Sequence, residues 1–387
     1  MKEKKKKIIW QQWVSMVFFL LVGGLCGILM IRYIEPMMEG KSSNAVFLFF
    51  AVAIIELYAA IFLQIIIHEA GHLVFGLLSG YQYSSFRVGS LMWMKVDGKI
   101  KLKKFSMAGT GGQCLMVPPE MVEGKVPFVL YNLGGSIMNM AVSTLFMVLS
   151  FVCGENFFSM FCIIFAVIGY AFALMNGIPM RMGTVDNDGY NALSLGKKES
   201  ALRSFWVQMK ANDLMTRGVS LKNMPEEWFY LPTDEELNNS MTAVMAVFYC
   251  NRLMDEHRFE EAYATMERLL NMETAIVGIH SGLLRCDCVY CELIGENRPE
   301  QREKFLDKQQ KKLMKAMKTY PSVIRTEYAY ALLGEKDKEK AEKILENFEK
   351  CAKTYPYASD IASERSFIEK AGKVAAEKEE EVNEKTL

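Results

Sequence analysis

The stretch FLQIIIHEAGHLVFGLL, residues 62–78, decides how this chain is organised. Two histidines and a glutamate, His68, Glu69 and His72, stand in a run that is otherwise apolar enough for a lipid bilayer. Ionisable groups are costly in the hydrocarbon region, and those that occur there usually serve a function. The stretch therefore predicts a membrane-spanning helix that carries a polar functional site.

The spacing of these three residues indicates metal chemistry. Residues i and i+4 share one face of a helix, so His68 and His72 can both direct an imidazole nitrogen at one metal ion. Glu69 lies beside that face, where its carboxylate can take a proton from a metal-bound water and pass it to a leaving amine. Zinc lowers the pKa of such a water towards neutrality. The alternative is a pair of core histidines bonded to neighbouring helices.

Membrane spans are predicted by four apolar segments of about 20 residues or more, namely 13–34, 45–78, 127–152 and 157–179. A basic cluster, MKEKKKK, precedes the first segment, and lysines and arginines are frequent in 80–126 and from 180 onward. Positive charge stays on the cytoplasmic side. We therefore expect an integral membrane protein, in a bacterial plasma membrane, with both termini in the cytoplasm.

Composition excludes some other classes of function. The 387 residues include 45 basic and 45 acidic side chains, so the overall charge gives no support to nucleic-acid binding. The nine cysteines form no regular framework and are expected to be reduced thiols. Cys286, Cys288 and Cys291 lie close in sequence but lack an adjacent fourth ligand, so we expect core residues there rather than a zinc knuckle.

A catalytic zinc needs a third protein ligand and an open position. The other two histidines, His257 and His280, lie far along the chain in its later, polar half. Glu56 precedes the first histidine of the motif by twelve residues, which is about 18 Å along a helix. The best remaining carboxylates are Asp186 and Asp188, after the fourth span and on the same side of the membrane as the histidines.

Residues 45–190 resemble the site-2 protease family of intramembrane zinc metalloproteases. HEAGH matches the zinc helix of that family, and GGSIMN resembles its G-x-x-x-N segment through Gly135 and Asn139. NGIP followed by DG resembles the N-x-x-P…D-G element that supplies the third zinc ligand. Two features differ: Ser136 stands where the family often has proline, and the gap from Asn176 to the Asp-Gly pair is longer than usual.

The resemblance implies one zinc ion held by His68, His72 and Asp188, with Glu69 as general base and then general acid. Asp188 is favoured over Asp186 because Gly189 follows it; Asp186 would then support or cap the site. The implied activity is that of an intramembrane endopeptidase, whose substrates are membrane proteins or membrane-adjacent peptides.

Asn139 and a hairpin complete the expected site. The resemblance implies that Asn139 is catalytic, close to the metal and holding the substrate backbone; an interhelical hydrogen bond is the alternative. Alternating residues around Asp97-Gly98 predict a β-hairpin. Family members carry a small β-element at this place, and its edge can accept an extended substrate by strand addition.

The later part of the chain reads as successive amphipathic helices. KTYP occurs at 318–321 and again at 353–356. This spacing of 35 residues is close to the repeat length of tetratricopeptide arrays. Such arrays offer a concave surface to partners. A tetratricopeptide-like region over 245–370 that binds a protein partner is therefore expected, with a plain helical bundle as the alternative.

The expected fold is an α-helical polytopic membrane protein with about four transmembrane helices and a small membrane-associated β-hairpin, followed by an all-α soluble domain. The expected divisions are a basic segment with a first anchor (1–44), the zinc protease core (45–190) and the cytoplasmic helical domain (191–387). Two other functions stay open. One is an inactive membrane scaffold that binds partners through its helical domain, and the other is a different type of membrane zinc protease that matures a secreted or lipidated peptide.

Overall fold

The computed structural model describes residues 13, 16–18, 20–29, 31–32, 35–36, 39–105, 110–154, 156–182 and 185–384. The chain is mostly helical and divides into two compact units. The first unit comprises Met1–Gly89 and Met107–Leu202, and the second comprises Ser90–Ser106 and Arg203–Leu387.

In the described part of the first unit, three helices are long and apolar enough to cross a membrane: α1 (Ser43–Leu78), α2 (Val129–Val152) and α3 (Phe157–Gly177). They form at the second, third and fourth predicted spans. The first predicted span lies partly outside the described residues, and within it residues 20–29 are helical. The three long helices pack against one another.

Two antiparallel strands of the first unit lie between α1 and α2 in the chain. β1 (Gln82–Val88) pairs with β4 (Gly112–Val117), in register from Gln82 opposite Val117 to Val88 opposite Gly112. Gly80 has a positive φ of 83°, which lets the chain reverse from the end of α1 into β1. β4 lies at an edge of its sheet.

A short segment connects α3 to the later helices. It contains the two-residue strands β5 (Arg181–Met182) and β6 (Val185–Asp186), then α4 (Asp188–Ser194) and α5 (Glu199–Thr216). Asn187 caps the N-terminus of α4, since its side-chain oxygen accepts a hydrogen bond of 2.9 Å from the backbone N–H of Tyr190.

The predicted hairpin is confirmed and belongs to the second unit. β2 (Leu91–Val96) pairs antiparallel with β3 (Lys99–Lys104). Asp97 and Gly98, the two residues between them, have φ of 51° and 74°. Positive φ at both positions is the backbone of the tight turn that Asp-Gly favours.

The remainder of the second unit is helical. Its α-helices are α6 (Ser240–Asp255), α7 (Phe259–Asn271), α8 (Gly278–Ile294), α9 (Pro299–Phe305), α10 (Lys308–Ala316), α11 (Pro321–Ala329), α12 (Lys338–Thr354) and α13 (Ala358–Glu384). Single turns of 3-10 helix lie at Leu221–Asn223, Glu226–Trp228 and Glu236–Asn238, and a π-helical turn lies at Tyr330–Glu335. A further 3-10 turn, Leu195–Lys197, belongs to the first unit. Each KTYP segment lies at a junction of two helices: the first ends at Pro321, the first residue of α11, and the second begins with the last two residues of α12, before α13.

The core of the second unit contains buried cysteines and buried charged side chains. Cys286, Cys288 and Cys291 are buried among its apolar side chains. Arg325, fully buried, donates to Asp287 and, over 2.8 Å, to Glu364. Its guanidinium carbon lies 4.5 Å from the centre of the Tyr290 ring. The arginine thereby compensates two acidic groups inside the helical core.

Candidate metal centre

Three ligand atoms from two distant parts of the chain converge in the first unit. Nε2 of His68 lies 3.2 Å from Nε2 of His72 and 3.1 Å from Oδ2 of Asp188. Nε2 of His72 lies 3.4 Å from the same carboxylate oxygen. Among the described residues, these three form a group whose ligand atoms all lie within 4.8 Å of one another. The histidines are buried and the aspartate is half-buried.

The Nδ1 atoms of both histidines face hydrogen-bond acceptors, which fixes the tautomer of each ring. Nδ1 of His68 lies 2.7 Å from the amide oxygen of Asn139, and Nδ1 of His72 lies 2.7 Å from the backbone carbonyl of Tyr131. An acceptor oxygen at that distance requires a proton on Nδ1. In the neutral rings, the Nε2 lone pairs therefore point into the triangle formed by these two nitrogens and Oδ2 of Asp188, as metal-binding histidines require.

The size of the triangle fits a metal ion. Ligand atoms at 2.0–2.1 Å from a tetrahedral zinc ion are separated by about 3.3 Å. The three separations here are 3.1, 3.2 and 3.4 Å. Two lone pairs and a carboxylate oxygen so close together repel unless a cation lies among them. Two imidazoles and one carboxylate are a donor set that catalytic zinc sites use.

Gln64 fixes the amide that orients His68. The amide nitrogen of Asn139 donates to the side-chain oxygen of Gln64 at 2.6 Å and to its backbone carbonyl at 3.0 Å. Gln64 in turn donates from its own side-chain nitrogen to the carbonyl of Phe165 at 2.9 Å. Each amide therefore has one consistent orientation. This buried chain of hydrogen bonds links all three long helices to the Nδ1 side of His68.

Glycines allow α1 and α2 to pack closely beside His68. A Cβ on Gly135 would lie 2.5 Å from a carbon of the His68 ring, and a Cβ on Gly71 would collide with the backbone carbonyl of Gly134. A side chain at Gly135 would therefore occupy the place of the imidazole. The small residues of the motifs HEAGH and GGSIMN thus meet across α1 and α2.

Asn187 holds Asp188 against the end of α3. Its amide nitrogen donates to the carbonyls of Met175 and Ile178, at 2.7 and 2.6 Å, and its oxygen accepts from the N–H of Met180 at 3.0 Å. Asp188 then begins α4 with its carboxylate at the histidines.

Glu69 lies between the metal group and strand β4. A Cβ on Gly112 would lie 2.5 Å from Cγ of Glu69, so the start of β4 rests on this side chain. Glu69 is within electrostatic reach of His68, His72 and Asp188. Within the part of the chain that the structure describes, no group hydrogen-bonds its carboxylate. The carboxylate is thus available for proton transfer.

Arg87 fixes the strand that meets Glu69. It is 1 % exposed, and its guanidinium donates to the carbonyls of Gly89 and Gly112, at 2.8 and 3.0 Å, and to the hydroxyl of Thr110. The chain on either side of Gly111 is therefore held in place beside the catalytic candidate.

Of the residues expected at the site, the structure brings together His68, Glu69, His72, Asn139 and Asp188. Asp186, in β6, is not part of the group of converging ligand atoms. The amide of Asn176 donates to Phe172 of its own helix. His257 and His280 belong to the second unit.

Three residues of the site were not predicted from the sequence: Gln64, Arg87 and Asn187. For Gln64 a signal existed, since it is a polar residue four positions before His68 on the same helix face. Asn187 precedes a helix at the position that asparagine favours. No local pattern marks Arg87.

Comparisons of the chain with protein-family models, curated proteins and solved structures found no match.

Proposed function

We propose that this protein is an intramembrane zinc metalloendopeptidase of the site-2 protease type. The observation that carries the proposal is the triangle of His68, His72 and Asp188, in which both Nδ1 atoms face acceptors and both Nε2 atoms face the carboxylate. The position of the two histidines on an apolar helix long enough to cross a membrane supports a substrate that is embedded in, or adjacent to, the bilayer.

Zinc suits this donor set better than other common ions. Imidazole and carboxylate ligands in a group of three are typical of catalytic zinc, whereas calcium and magnesium take oxygen ligands in larger numbers. When bound, the ion acts as a Lewis acid that lowers the pKa of water and polarises a carbonyl group.

Glu69 is the proton carrier in this proposal. Its carboxylate takes the proton of the attacking water, and the resulting carboxylic acid passes that proton to the nitrogen of the cleaved peptide bond. The position of Glu69 next to the first histidine, and the freedom of its carboxylate from hydrogen bonds to described residues, support this role. Asn139 acts here by orienting His68, a positioning role that does not require it to touch the substrate.

Strand β4 is the proposed binding site for the substrate backbone. A helical substrate has to unwind before its peptide bond can be attacked, and an exposed strand edge can hold it in an extended form. β4 lies at a sheet edge and starts against Glu69 at Gly112. An added strand would therefore bring a backbone carbonyl close to the acid/base residue.

We further propose four membrane spans with both termini in the cytoplasm of a bacterial cell. The basic cluster before the first span and the lysine-rich stretches after the second and fourth support this orientation. It puts the metal site in the cytoplasmic half of α1. Products would then leave towards the cytoplasm, where the helical unit can recruit or gate substrates.

The test compares membrane and secreted peptides from cells that carry wild type, Glu69→Gln or Glu56→Gln. Glu56→Gln is the matched control, because it makes the same chemical change on the same helix twelve residues before His68. We expect a precursor to accumulate with Glu69→Gln alone, while the purified variant keeps its zinc. Identical profiles for all three proteins would contradict the protease assignment and favour a membrane scaffold.

A further inference from the structure

The second unit contains a large groove that is separate from the metal centre. Its volume is about 1320 Å³, and it is bounded by α10, α11, α12 and the residues that follow β3. Small-molecule sites usually measure roughly 300–1,000 Å³, so this groove has room for a segment of polypeptide.

Lysines dominate the charged lining of the groove. Among the described residues, seven lysines and two glutamates line it: Lys104, Lys311, Lys315, Lys318, Lys340, Lys343 and Lys350, with Glu327 and Glu335. The chain as a whole has equal numbers of basic and acidic residues. Positive charge therefore exceeds negative charge at this surface.

Several of these lysines are available to a ligand. Lys311, Lys340 and Lys343 form ion pairs with glutamates. Lys104, Lys315, Lys318 and Lys350 are exposed and have no ion-pair partner among the residues that the structure describes. A row of uncompensated ammonium groups in one concavity favours an anionic ligand.

Aromatic rings form the apolar part of the groove. Phe105, which is 7 % exposed, packs its ring against Tyr355 and Tyr320, with centroids 5.7 and 6.2 Å apart. These three residues and Tyr330 all line the groove. Rigid rings give apolar contact area at a small cost in conformational entropy. The groove thus offers both ammonium groups and apolar contacts.

We propose that this groove binds an acidic segment of a partner protein in an extended conformation. Lysines of α12 set the spacing. Lys343, whose ion pair with Glu339 is exposed and therefore weak, and Lys350 are seven residues apart on one helix, which is roughly 10.5 Å. Carboxylates three residues apart on an extended polyproline II chain share one face and are separated by roughly 9 Å. The apolar side chains between them would contact the tyrosines.

The lining favours a peptide over a uniformly charged polymer or a lipid surface. Glu327 and Glu335 interrupt the lysines and would repel a continuous phosphate backbone. The concave shape suits a single chain better than a flat bilayer surface. This function needs no metal and therefore goes beyond the proposed protease activity.

The test uses the purified full-length chain in nanodiscs of neutral lipid. The probe is a fluorescein-labelled 12-residue peptide with four repeats of Glu-Leu-Thr, and its Lys-Leu-Thr counterpart serves as the reversed-charge control. The groove variant is K315E/K318E/K350E. The matched control is K308E/K312E/K353E, which changes the same charge at exposed lysines of α10 and α12 outside the groove lining.

We expect the acidic probe to bind wild type and the matched control alike, and the groove variant about tenfold or more weakly, since three attractions become repulsions. K315Q/K318Q/K350Q should lie between them, and circular dichroism should report folded protein throughout. The Glu69→Gln variant should bind like wild type. Equal loss in both triple variants, no binding of the acidic probe, or groove-dependent binding of anionic vesicles or an oligonucleotide in its place would overturn the proposal.

Discussion

The amide oxygen of Asn139 lies 2.7 Å from Nδ1 of His68, so a side chain on α2 determines which nitrogen of a histidine on α1 faces the metal group. Loss of such an outer hydrogen bond typically costs 10- to 100-fold in metal affinity or activity. We expect Asn139→Leu to weaken zinc binding by about that factor, as measured by competition with a chromogenic chelator. Asn132→Ala is the control, because the amide of Asn132 donates within its own helix. Equal affinity in wild type and Asn139→Leu would contradict this role.

Gln64 acts on the metal through Asn139. Gln64→Leu removes the acceptor at 2.6 Å that holds the Asn139 amide in one orientation. We expect a weaker effect in the same direction as Asn139→Leu, because the backbone carbonyl of Gln64 still accepts one hydrogen bond. The double variant should resemble Asn139→Leu, since residues of one network are not additive. Additive losses in the same chelator assay would show that Gln64 acts by another route.

Gly135 leaves room for the imidazole of His68. A methyl group at this position would lie 2.5 Å from the ring, so Gly135→Ala should displace His68 and reduce bound zinc. Gly24→Ala is the control, because a Cβ on Gly24 meets nothing within 4 Å. The measurement is zinc per chain in folded, monodisperse protein. Full zinc occupancy in Gly135→Ala would argue against the observed contact between α1 and α2.

Arg325 compensates the buried Asp287 and Glu364. Arg325→Met leaves these acids without a partner, and breaking a buried ion pair in this way typically costs about 3–5 kcal/mol. We expect a lower urea midpoint for the helical unit with unchanged zinc content. Adding Asp287→Leu to Arg325→Met should recover part of the loss, since one uncompensated acid is removed. No recovery would indicate that the stacking of Arg325 on Tyr290 matters more than its charge.

Acid stability should depend on Glu292. Hydrogen bonds from Arg298 hold the pKa of this carboxyl below its usual range. A lowered pKa in the folded state stabilises the protein above the unfolded-state pKa, near 4.3, and that stabilisation is lost as the pH falls towards the folded-state value. Between pH 6 and 3, the melting temperature should fall less steeply for Glu292→Gln than for wild type. Parallel curves would exclude this carboxylate as a contributor.

Two parts of the observed arrangement follow from local sequence patterns. His68, Glu69 and His72 follow from helix periodicity, and the turn at Asp97-Gly98 follows from the residues that a tight hairpin requires. Both depend on neighbours a few positions away.

The long-range parts were harder to predict. Gln64 bonds to Asn139 and Phe165, which are 75 and 101 positions away, and no local pattern encodes such a pairing. The strand that begins against Glu69 is β4, whereas the turn chemistry drew attention to the β2–β3 hairpin. Side-chain networks and strand placement depend on how helices pack, which periodicity alone does not specify.

The most direct test of the metal centre is the zinc content of the purified full-length chain, measured by mass spectrometry for wild type, Asp188→Ala and Asp186→Ala. We expect one zinc per chain in wild type and in Asp186→Ala, and almost none in Asp188→Ala, because Asp188 alone of the two contributes an oxygen to the triangle. Wild type without zinc, or zinc retained in Asp188→Ala and lost in Asp186→Ala, would contradict the proposed metal centre.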